Sequence, residues 1–241
     1  MVKIYIFDID GTLTPPRQLI ANDFAEFFLE FCRNNIVYLC TGSDWPKVKE
    51  QIPEDILRLT YGTFACSGNA FWHGLEKHGE EDLKCRTEFD PPDDLIKDLE
   101  FFVNNSNFPI KTGRHIDIRT GMLNFSIAGR GCTLKQRKIY IEWDKKHQER
   151  KKIVEILDKK YKDLSFNIGG QISIDIYPNG LDKSRSVRLI RSWHKKDVII
   201  HFFGDKIHPG GNDYAVLKEL MENDLCNNVV DYEHTMMLLS R

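Results

Sequence analysis

Short apolar runs recur toward both ends of the chain and have the length and composition of buried strands. They lie at Lys3–Ile6, Ile36–Cys40, Thr63–Cys66 and Val198–Phe203, and each ends in a small polar turn. Phenylalanines at positions 24, 27, 28 and 31 predict an amphipathic helix between the first two runs, with Asn22 as its N-cap. This alternation favours a parallel α/β sheet, whose ligands bind beyond the carboxyl ends of the strands. Past the last run, a helix is expected after Asp213 and a weak strand near Val229-Val230.

The middle of the chain has a different pattern, which is typical of hairpins. The alternating runs His115–Arg119 and Met122–Ser126 are joined by Thr120-Gly121, a two-residue hairpin turn. Helical stretches follow at about 133–146 and 150–161, and two further strands flank Gly169-Gly170. We therefore expect an α+β domain with an antiparallel sheet at 81–181, inserted into a domain formed by 1–80 and 182–241.

Composition and charge narrow the class of protein. The chain has 241 residues, with 34 Lys and Arg against 36 Asp and Glu, and its formal net charge is −2, so a nucleic-acid-binding protein is not expected. No apolar run reaches membrane-spanning length, and the N-terminus enters a strand without a signal-peptide pattern. The six cysteines are scattered without a C-x-x-C pair, which favours a cytoplasmic protein without disulfides.

The candidate chemistry begins where the first strand ends. Asp8 and Asp10 lie two residues apart, so on a continuing strand their carboxylates point to the same side, repel each other and favour a cation between them. Asp205 ends another strand of the predicted sheet and would complete a Mg²⁺ site with Asp8 and the region of Asp10. The alternative is a strand that ends in an ordinary polar turn, since Asp, Gly11 and Thr are common turn residues.

Two further residues fit a phosphate site. Ser43, or Thr41 beside it, follows the second strand at a strand-to-helix turn, where hydroxyl and N–H groups can cradle a phosphate. Lys183 supplies a positive charge where the chain returns from the inserted domain. In the alternative interpretation Ser43 or Asp44 caps a helix, and Lys183 is a surface lysine.

Together these residues resemble a known family. Asp8-Ile9-Asp10-Gly11-Thr12 matches the D-x-D-G-T motif of the haloacid dehalogenase superfamily, and Gly204-Asp205 with Asn212-Asp213 resembles its last motif. Within that superfamily the chain is similar to the eukaryotic type of α-phosphomannomutase. The stretches that carry this resemblance are Phe7–Thr14, Pro16–Gln18, Gly42–Asp44, Arg119, Gly121–Asn124, Gly129-Arg130, Ile168–Ser173, Asp175, Pro178, Gly180, Asp182-Lys183, Phe202–Lys206 and Pro209–Asp213.

The resemblance implies a Rossmannoid core domain with an inserted cap, and a covalent mechanism. Asp8 would be the nucleophile that forms an aspartyl phosphate, and Asp10 the general acid and base. Mg²⁺ would be held by Asp8, Asp10 and Asp205. Asn212 and Asp213 would support the site, Asp213 by orienting Lys183 or a metal-bound water.

The resemblance also assigns the substrate contacts. Ser43 and Lys183 would bind the transferring phosphate. The other contacts with the substrate would come from Arg17, Arg119, Arg130, Arg137, Ser173 and Asp175. Arginine suits this role because its planar fork binds phosphate through two hydrogen bonds. Two alternatives stay open: Asp117 pairs with Arg119 in a structural ion pair, or Arg130 and Arg137 are ordinary surface residues.

The implied activity is the interconversion of mannose 6-phosphate and mannose 1-phosphate through a hexose 1,6-bisphosphate, which also serves as activator, feeding GDP-mannose synthesis. Small hexose phosphates would be the partners, without nucleic acid or membrane, and the cap would form a homodimer.

Hinges are expected near Gly79–Asp82 and Gly180–Lys183. Where the family carries Glu-Asn-Gly, this chain has Ser67-Gly68-Asn69. Alternative functions are a sugar-phosphate phosphatase of the same superfamily and a non-catalytic phosphosugar-binding protein.

Overall fold

The chain forms two compact units, Met1–Thr87 with Leu181–Arg241, and Glu88–Gly180. The computed structural model describes residues 1–74, 83–194 and 197–240. The first division lies a few residues past the boundary expected at 80/81, because residues 83–86 still form a strand of the first unit's sheet. The second lies one residue before the boundary expected at 181/182. The hinge expected at Gly79–Asp82 lies outside the described residues.

The regular elements are numbered in chain order. The strands are β1 (Val2–Phe7), β2 (Ile36–Cys40), β3 (Gly62–Ala65), β4 (Ala70–His73), β5 (Leu83–Arg86), β6 (Ile116–Arg119), β7 (Met122–Phe125), β8 (Leu164–Gly169), β9 (Ser173–Pro178), β10 (Val198–Gly204) and β11 (Leu225–Asn228). The α-helices are α1 (Asn22–Asn34), α2 (Trp45–Gln51), α3 (Glu54–Leu59), α4 (Asp93–Asn105), α5 (Leu134–His147), α6 (Glu149–Lys160), α7 (Ser184–Trp193) and α8 (Tyr232–Leu239). Short 3₁₀ helices span Cys66–Gly68 and Tyr214–Glu219.

The first unit is built on a seven-stranded sheet in the order β11-β10-β1-β2-β3-β4-β5. The strands from β11 to β3 are parallel, which confirms the predicted parallel sheet, and β4 and β5 join it antiparallel. Phe7 is in register with Phe203 on one side and Leu39 on the other. The residues that follow these three positions therefore emerge at the same edge of the sheet, which is where the candidate site lies.

An aromatic cluster anchors α1 against this sheet. Phe7 stacks on Phe203 with ring centroids 4.7 Å apart and meets Phe28 edge-to-face at 5.1 Å. The helical spacing of the phenylalanines thus predicted the buried face correctly. The predicted N-cap was wrong by one residue: Ala21 holds the cap position and its carbonyl accepts from Ala25 N, while Asn22 is already helical.

The second unit has a four-stranded antiparallel sheet in the order β6-β7-β9-β8, as the hairpin pattern predicted. Its core includes the buried side chains of Phe125, Tyr140 and Leu157. A capping box starts α5, because Thr133 Oγ1 accepts from Gln136 N while Thr133 N donates to the Gln136 side chain.

Two details near the C-terminal end and one near residue 54 differ from expectation. The helix after Asp213 is a 3₁₀ helix. The edge strand is Leu225–Asn228 and not Val229-Val230: Val229 is buried after the strand ends, and Val230 is exposed. Sequence patterning also missed α3, whose six residues are too few to show a helical period. In the described part of the chain no helix combines the length and the apolar character that crossing a membrane needs.

Candidate active site

A tight loop after β1 lies against the carboxylate of Asp205, a residue from a distant part of the chain. Gly11 has a φ of +90°, and its N–H donates to Thr14 O while Thr14 N donates to Ile9 O. A side chain at Gly11 would place its Cβ 2.6 Å from Asp205 Oδ2. Glycine is therefore required twice, by the left-handed backbone and by the approach of the Asp205 carboxylate.

A buried lysine connects two of the carboxylates. Lys183 lies directly before α7, and its Nζ donates to Asp8 Oδ1 at 2.5 Å and to Asp213 Oδ1 at 2.6 Å. Lys183 and Asp213 are both 0% exposed, so the interpretation of Lys183 as a surface lysine is wrong. Asp213 also accepts from Lys206 N, which holds its carboxylate in place beside Lys183.

The electrostatics of this group follow from its burial. Burial raises the pKa of Asp8 well above its usual range; Lys183 opposes that rise, and the carboxylates of Asp213 and Asp205 add to it. Burial acts to lower the pKa of Lys183, but the carboxylates of Asp213 and Asp8 outweigh it, so that pKa stands well above its usual value. The lysine is therefore held as a cation between the two carboxylates.

Asp8, Asp205 and Asp213 each offer one carboxylate oxygen, and these atoms lie within 4.8 Å of one another. Burial raises the pKa of Asp205 too, an effect that the nearby Lys206 opposes and the Asp213 carboxylate increases. Lys183 and Lys206 provide two positive charges against three carboxylates. A hard divalent cation fits this surplus of buried oxygen ligands, and Mg²⁺ prefers such a set.

The Asp10 carboxylate is not a member of that group of three. Its Oδ1 accepts from Arg17 N at 2.6 Å and from Gln51 Nε2 at 2.9 Å. Gln51, a buried residue at the end of α2, also donates to Thr14 Oγ1 and so fixes the loop. Sequence reasoning missed Gln51, because a lone glutamine at a helix end carries no signal of its own. Arg17 reaches this position with a φ of 61°.

The loop after β2 lies at the same edge of the sheet. Ser43 N donates to Thr41 Oγ1 at 3.1 Å, and Ser43 O accepts from Cys66 N at 2.8 Å. Asp44 takes the N-cap position of α2 but its side chain makes no capping hydrogen bond, so the alternative in which Asp44 caps this helix is not supported.

In the second unit, one carboxylate gathers three arginines. Asp117 lies 2.5 Å from Arg114, 2.8 Å from Arg119 and 3.7 Å from Arg130. The alternative ion pair between Asp117 and Arg119 is therefore present. Asp117 is not reserved for Arg119, because the same carboxylate also lies near the guanidinium groups of Arg114 and Arg130. Arg114 had not been predicted as a site residue; it precedes β6 and lies outside the alternating run.

Of the remaining predicted residues of this unit, Arg137, Ser173 and Asp175 are buried and Arg130 is partly buried. Arg130 Nη1 donates to Asn124 Oδ1 at 2.9 Å, and Asn124 Nδ2 donates to Asp175 Oδ1 at 2.5 Å. Arg137, only 3% exposed, donates to Cys132 O, so it is not a surface residue. Ser173 is buried at the start of β9. Asn124 was noticed only as part of a matching stretch, and the structure gives it a role in linking Arg130 to Asp175.

Comparison with known proteins identifies the family. The family model for eukaryotic phosphomannomutase matches residues 24–240. The chain belongs to this family. A phosphomannomutase of Dendrobium officinale is 36% identical over 215 residues, which cover 88% of this chain and 84% of the relative. A phosphomannomutase of Drosophila melanogaster is 34% identical over 220 residues, 90% of this chain and 86% of the relative.

The fold is that of the haloacid dehalogenase superfamily. The sucrose-phosphatase of Synechocystis, solved with sucrose and phosphate, superposes with a TM-score of 0.56 at 11% identity, covering 100% of this chain and 98% of that one. Asp8 and Asp10 precede the range that the family model matches, so the case for their roles rests on the D-x-D-G-T motif and on the geometry of the loop after β1.

Proposed function

We propose that this protein is a phosphomannomutase, which interconverts mannose 6-phosphate and mannose 1-phosphate. The observation that carries the proposal is the fully buried Lys183, bonded to both Asp8 and Asp213 with Asp205 beside them. Burying charged groups of this kind costs stability, so their presence points to a functional requirement. Membership of the family supplies the substrate class.

Asp8 is the nucleophile in this proposal. Its carboxylate oxygen attacks the phosphorus of a hexose bisphosphate, the bond from phosphorus to the sugar oxygen breaks, and an aspartyl phosphate forms. In the second half-reaction a hydroxyl of the monophosphate attacks that phosphorus, and the carboxylate of Asp8 is the leaving group. Lys183, fixed by Asp213, stabilises the anionic carboxylate whenever the phosphoryl group is absent.

Asp10 is the general acid and base. It gives a proton to the departing sugar oxygen and takes one from the attacking hydroxyl. Its two hydrogen bonds from Arg17 N and Gln51 Nε2 both engage Oδ1 and orient the carboxyl group. This orientation keeps its task distinct from that of Asp8, which lies in the lysine-linked group.

Mg²⁺ is the metal that the donor set fits. Asp8 and Asp205 would supply carboxylate oxygens, and Asp10 would contribute through its main-chain carbonyl, since its carboxylate is engaged elsewhere. Asp213 and the adjacent Asn212 would support the site, Asp213 through its bonds with Lys183 and Lys206 N. When bound, the cation would reduce the repulsion between a carboxylate and the phosphoryl oxygens.

The second phosphate of the bisphosphate binds to the second unit in this proposal. The gathering of arginines around Asp117 supports an anion site with Arg119 and Arg130 as donors. Arg137, Ser173 and Asp175 would complete the contacts with phosphate and sugar, and Arg17 would add one from the first unit. Ser43 and Lys183 would hold the transferring phosphate.

The remaining parts of the proposal follow from family membership. A hexose 1,6-bisphosphate would serve as activator, because the free enzyme must first be phosphorylated on Asp8. The product would feed GDP-mannose synthesis in the cytoplasm, and the second unit would form a homodimer. One hinge would lie at the start of Gly180–Lys183, where Gly180 has a φ of 81° and supplies the backbone freedom.

A single assay tests the function. The protein is incubated with Mg²⁺, mannose 1-phosphate and a trace of hexose 1,6-bisphosphate, with Asp8→Asn as the matched control. We expect mannose 6-phosphate from the native protein and none from the control. Inorganic phosphate without mannose 6-phosphate would instead identify a phosphatase, and an unchanged substrate would identify a phosphosugar-binding protein.

A further inference from the structure

The chain passes from the first unit to the second after Thr87 and returns at Leu181. Both of these crossing residues form hydrogen bonds with Asn69, a buried residue of the first unit. Thr87 N donates to Asn69 O at 3.0 Å, and Asn69 Nδ2 donates to Leu181 O at 2.7 Å. Thr87 and Leu181 are distant in sequence, but both are thus held at Asn69.

Arg185, the second residue of α7, closes this arrangement. Its Nη1 donates to Asn69 Oδ1 at 3.1 Å and also bonds to Thr87 Oγ1. Asn69 is 0% exposed, and its carboxamide uses donor and acceptor at once, since Nδ2 also donates to Cys66 O. Aspartate would lack the donor, and leucine would lack both groups.

The turn that presents Asn69 is held in an unusual conformation. Cys66, Ser67 and Gly68 have positive φ values of 50°, 57° and 89°, although only glycine adopts this region freely. Backbone strain of this kind persists only where the surroundings enforce it. The bonds of Asn69 with Leu181 O and Arg185 are part of that enforcement. The same turn bonds to the loop after β2, through Cys66 N to Ser43 O and Ser67 N to Thr41 O.

We infer that Asn69 and Arg185 form a clasp that fixes both chain crossings on the first unit and thereby positions Lys183. Lys183 lies two residues after Leu181 and two before Arg185, so both anchors of its backbone belong to the clasp. Asn69 and Arg185 are positioning residues that act through Lys183 and through the loop at Ser43. The catalytic consequence rests on the proposed function, whereas the coupling of the two crossings does not.

Hydrogen exchange tests that coupling without any substrate. We would compare the native protein with Arg185→Met and Asn69→Leu, and use Arg33→Met as the control, since Arg33 is an exposed residue of α1 that pairs with Glu30. We expect exchange in peptides covering Thr87 and 181–186 to accelerate together by roughly tenfold, because bonds to a charged guanidinium are lost. The β1 peptide and the control should not change.

Acceleration at only one crossing, or at neither, would overturn the clasp. If Arg185→Met or Asn69→Leu fails to fold, Arg185→Lys serves instead. Its ammonium group is a point donor without the fork of the guanidinium, so it should accelerate both crossings by a smaller factor. A response of Arg185→Lys at one crossing alone would count equally against the clasp.

Kinetics separates a positioning role from a merely structural one. In Arg185→Met we expect a higher KM, a lower kcat and a several-fold larger share of turnovers that end in inorganic phosphate, because a misplaced Lys183 and Ser43 hold the phosphoryl group less well. Arg185→Lys should recover part of each change. A fall in kcat alone, with KM and the phosphate share unchanged, would indicate a loss of folded enzyme and overturn the positioning role. Native protein that shows coupled crossings but no mutase activity would refute the proposed function and leave the clasp intact.

Discussion

Replacing Lys183 with methionine removes the only positive charge that bonds directly to both Asp8 and Asp213 among the described residues, and keeps much of the side-chain volume. Two buried carboxylates would then face each other without compensation. Hydrogen bonds to charged groups contribute about 1.5–3 kcal/mol each, and breaking a buried ion pair by removing one partner costs about 3–5 kcal/mol. We therefore expect Lys183→Met to lower the free energy of unfolding by about 3–5 kcal/mol at neutral pH.

The matched control is Lys145→Met, the same substitution in an exposed ion pair. Lys145 and Glu142 are 2.8 Å apart, but their side chains are 68% and 71% exposed. Exposed pairs contribute about 0–1 kcal/mol, so this variant should be nearly as stable as the native protein. Short contacts in both settings do not imply equal energies, because water already solvates the exposed pair.

Urea unfolding at neutral pH without divalent cations measures both changes. In a domain of this size a loss of 1 kcal/mol in the free energy of unfolding lowers Tm by about 2–4 °C. The fall in Tm of Lys183→Met should therefore also be measurable by calorimetry. Asp213→Asn added to Lys183→Met should cost less than the sum of the two single changes, because it removes one of the uncompensated charges. A loss below about 1 kcal/mol for Lys183→Met would refute the reasoning, since it would place Lys183 in the class of exposed pairs.

Three further predictions concern the proton donor, the metal and the pH dependence. Asp10→Asn should lower kcat by about 10²–10⁴-fold in the mutase assay, because the proton donor is lost. The Mg²⁺-dependent rise in Tm should stay intact, because the Asp10 carboxylate lies outside the group of three. Loss of that rise would contradict the prediction. Mg²⁺ at a hundred times its Kd should stabilise the native protein by about 2.7 kcal/mol, as measured by calorimetry during a titration. The same concentration should stabilise Asp205→Asn far less. Equal stabilisation of the two proteins would exclude Asp205 as a ligand. Burial and the charge of Lys3 lower the pKa of His201 from 6.5, so below that pH the unfolded chain binds more protons than the folded one and the free energy of unfolding should fall. Urea unfolding at graded pH should show that His201→Gln reduces this dependence of stability on pH. An unchanged dependence would refute the assignment to His201.

The fold could be predicted from sequence where the decisive interactions are local. The apolar run before Asp8 and the phenylalanines of α1 follow the periods of strand and helix, so their buried faces could be identified directly. The edge strand β11 could not, because its residues alternate weakly and its apolar neighbour Val229 is buried for another reason, as it follows the strand into the core. The cap of α1 could not be predicted either, because asparagine is a preferred capping residue and alanine is not, yet Ala21, directly before Asn22, holds the cap position.

The site shows the same division between local and distant interactions. The spacing of Asp8 and Asp10 predicts two carboxylates on one side of a strand, but the structure assigns them different surroundings. Gln51 and Arg17 N bind the Asp10 carboxylate, whereas Lys183 binds Asp8 across a separation of 175 residues. No pattern within the loop after β1 contains that information. It depends on the register of β1 with β10 and on where the chain re-enters the first unit.

The physical cost of the group around Lys183 is itself an argument about function. A buried ion pair stabilises a fold poorly, because well-packed apolar residues of the same volume are often as good or better. Selection for stability alone would favour such residues at positions 8, 183 and 213, which lie in or beside an otherwise apolar core. The chain instead keeps three charged side chains there, with glycines at 11 and 204 whose Cβ atoms would collide with the carboxylates of Asp205 and Asp213. The backbone is therefore shaped to admit these charged groups, and the Lys183 ammonium group opposes the rise that burial causes in the pKa of the Asp8 carboxyl.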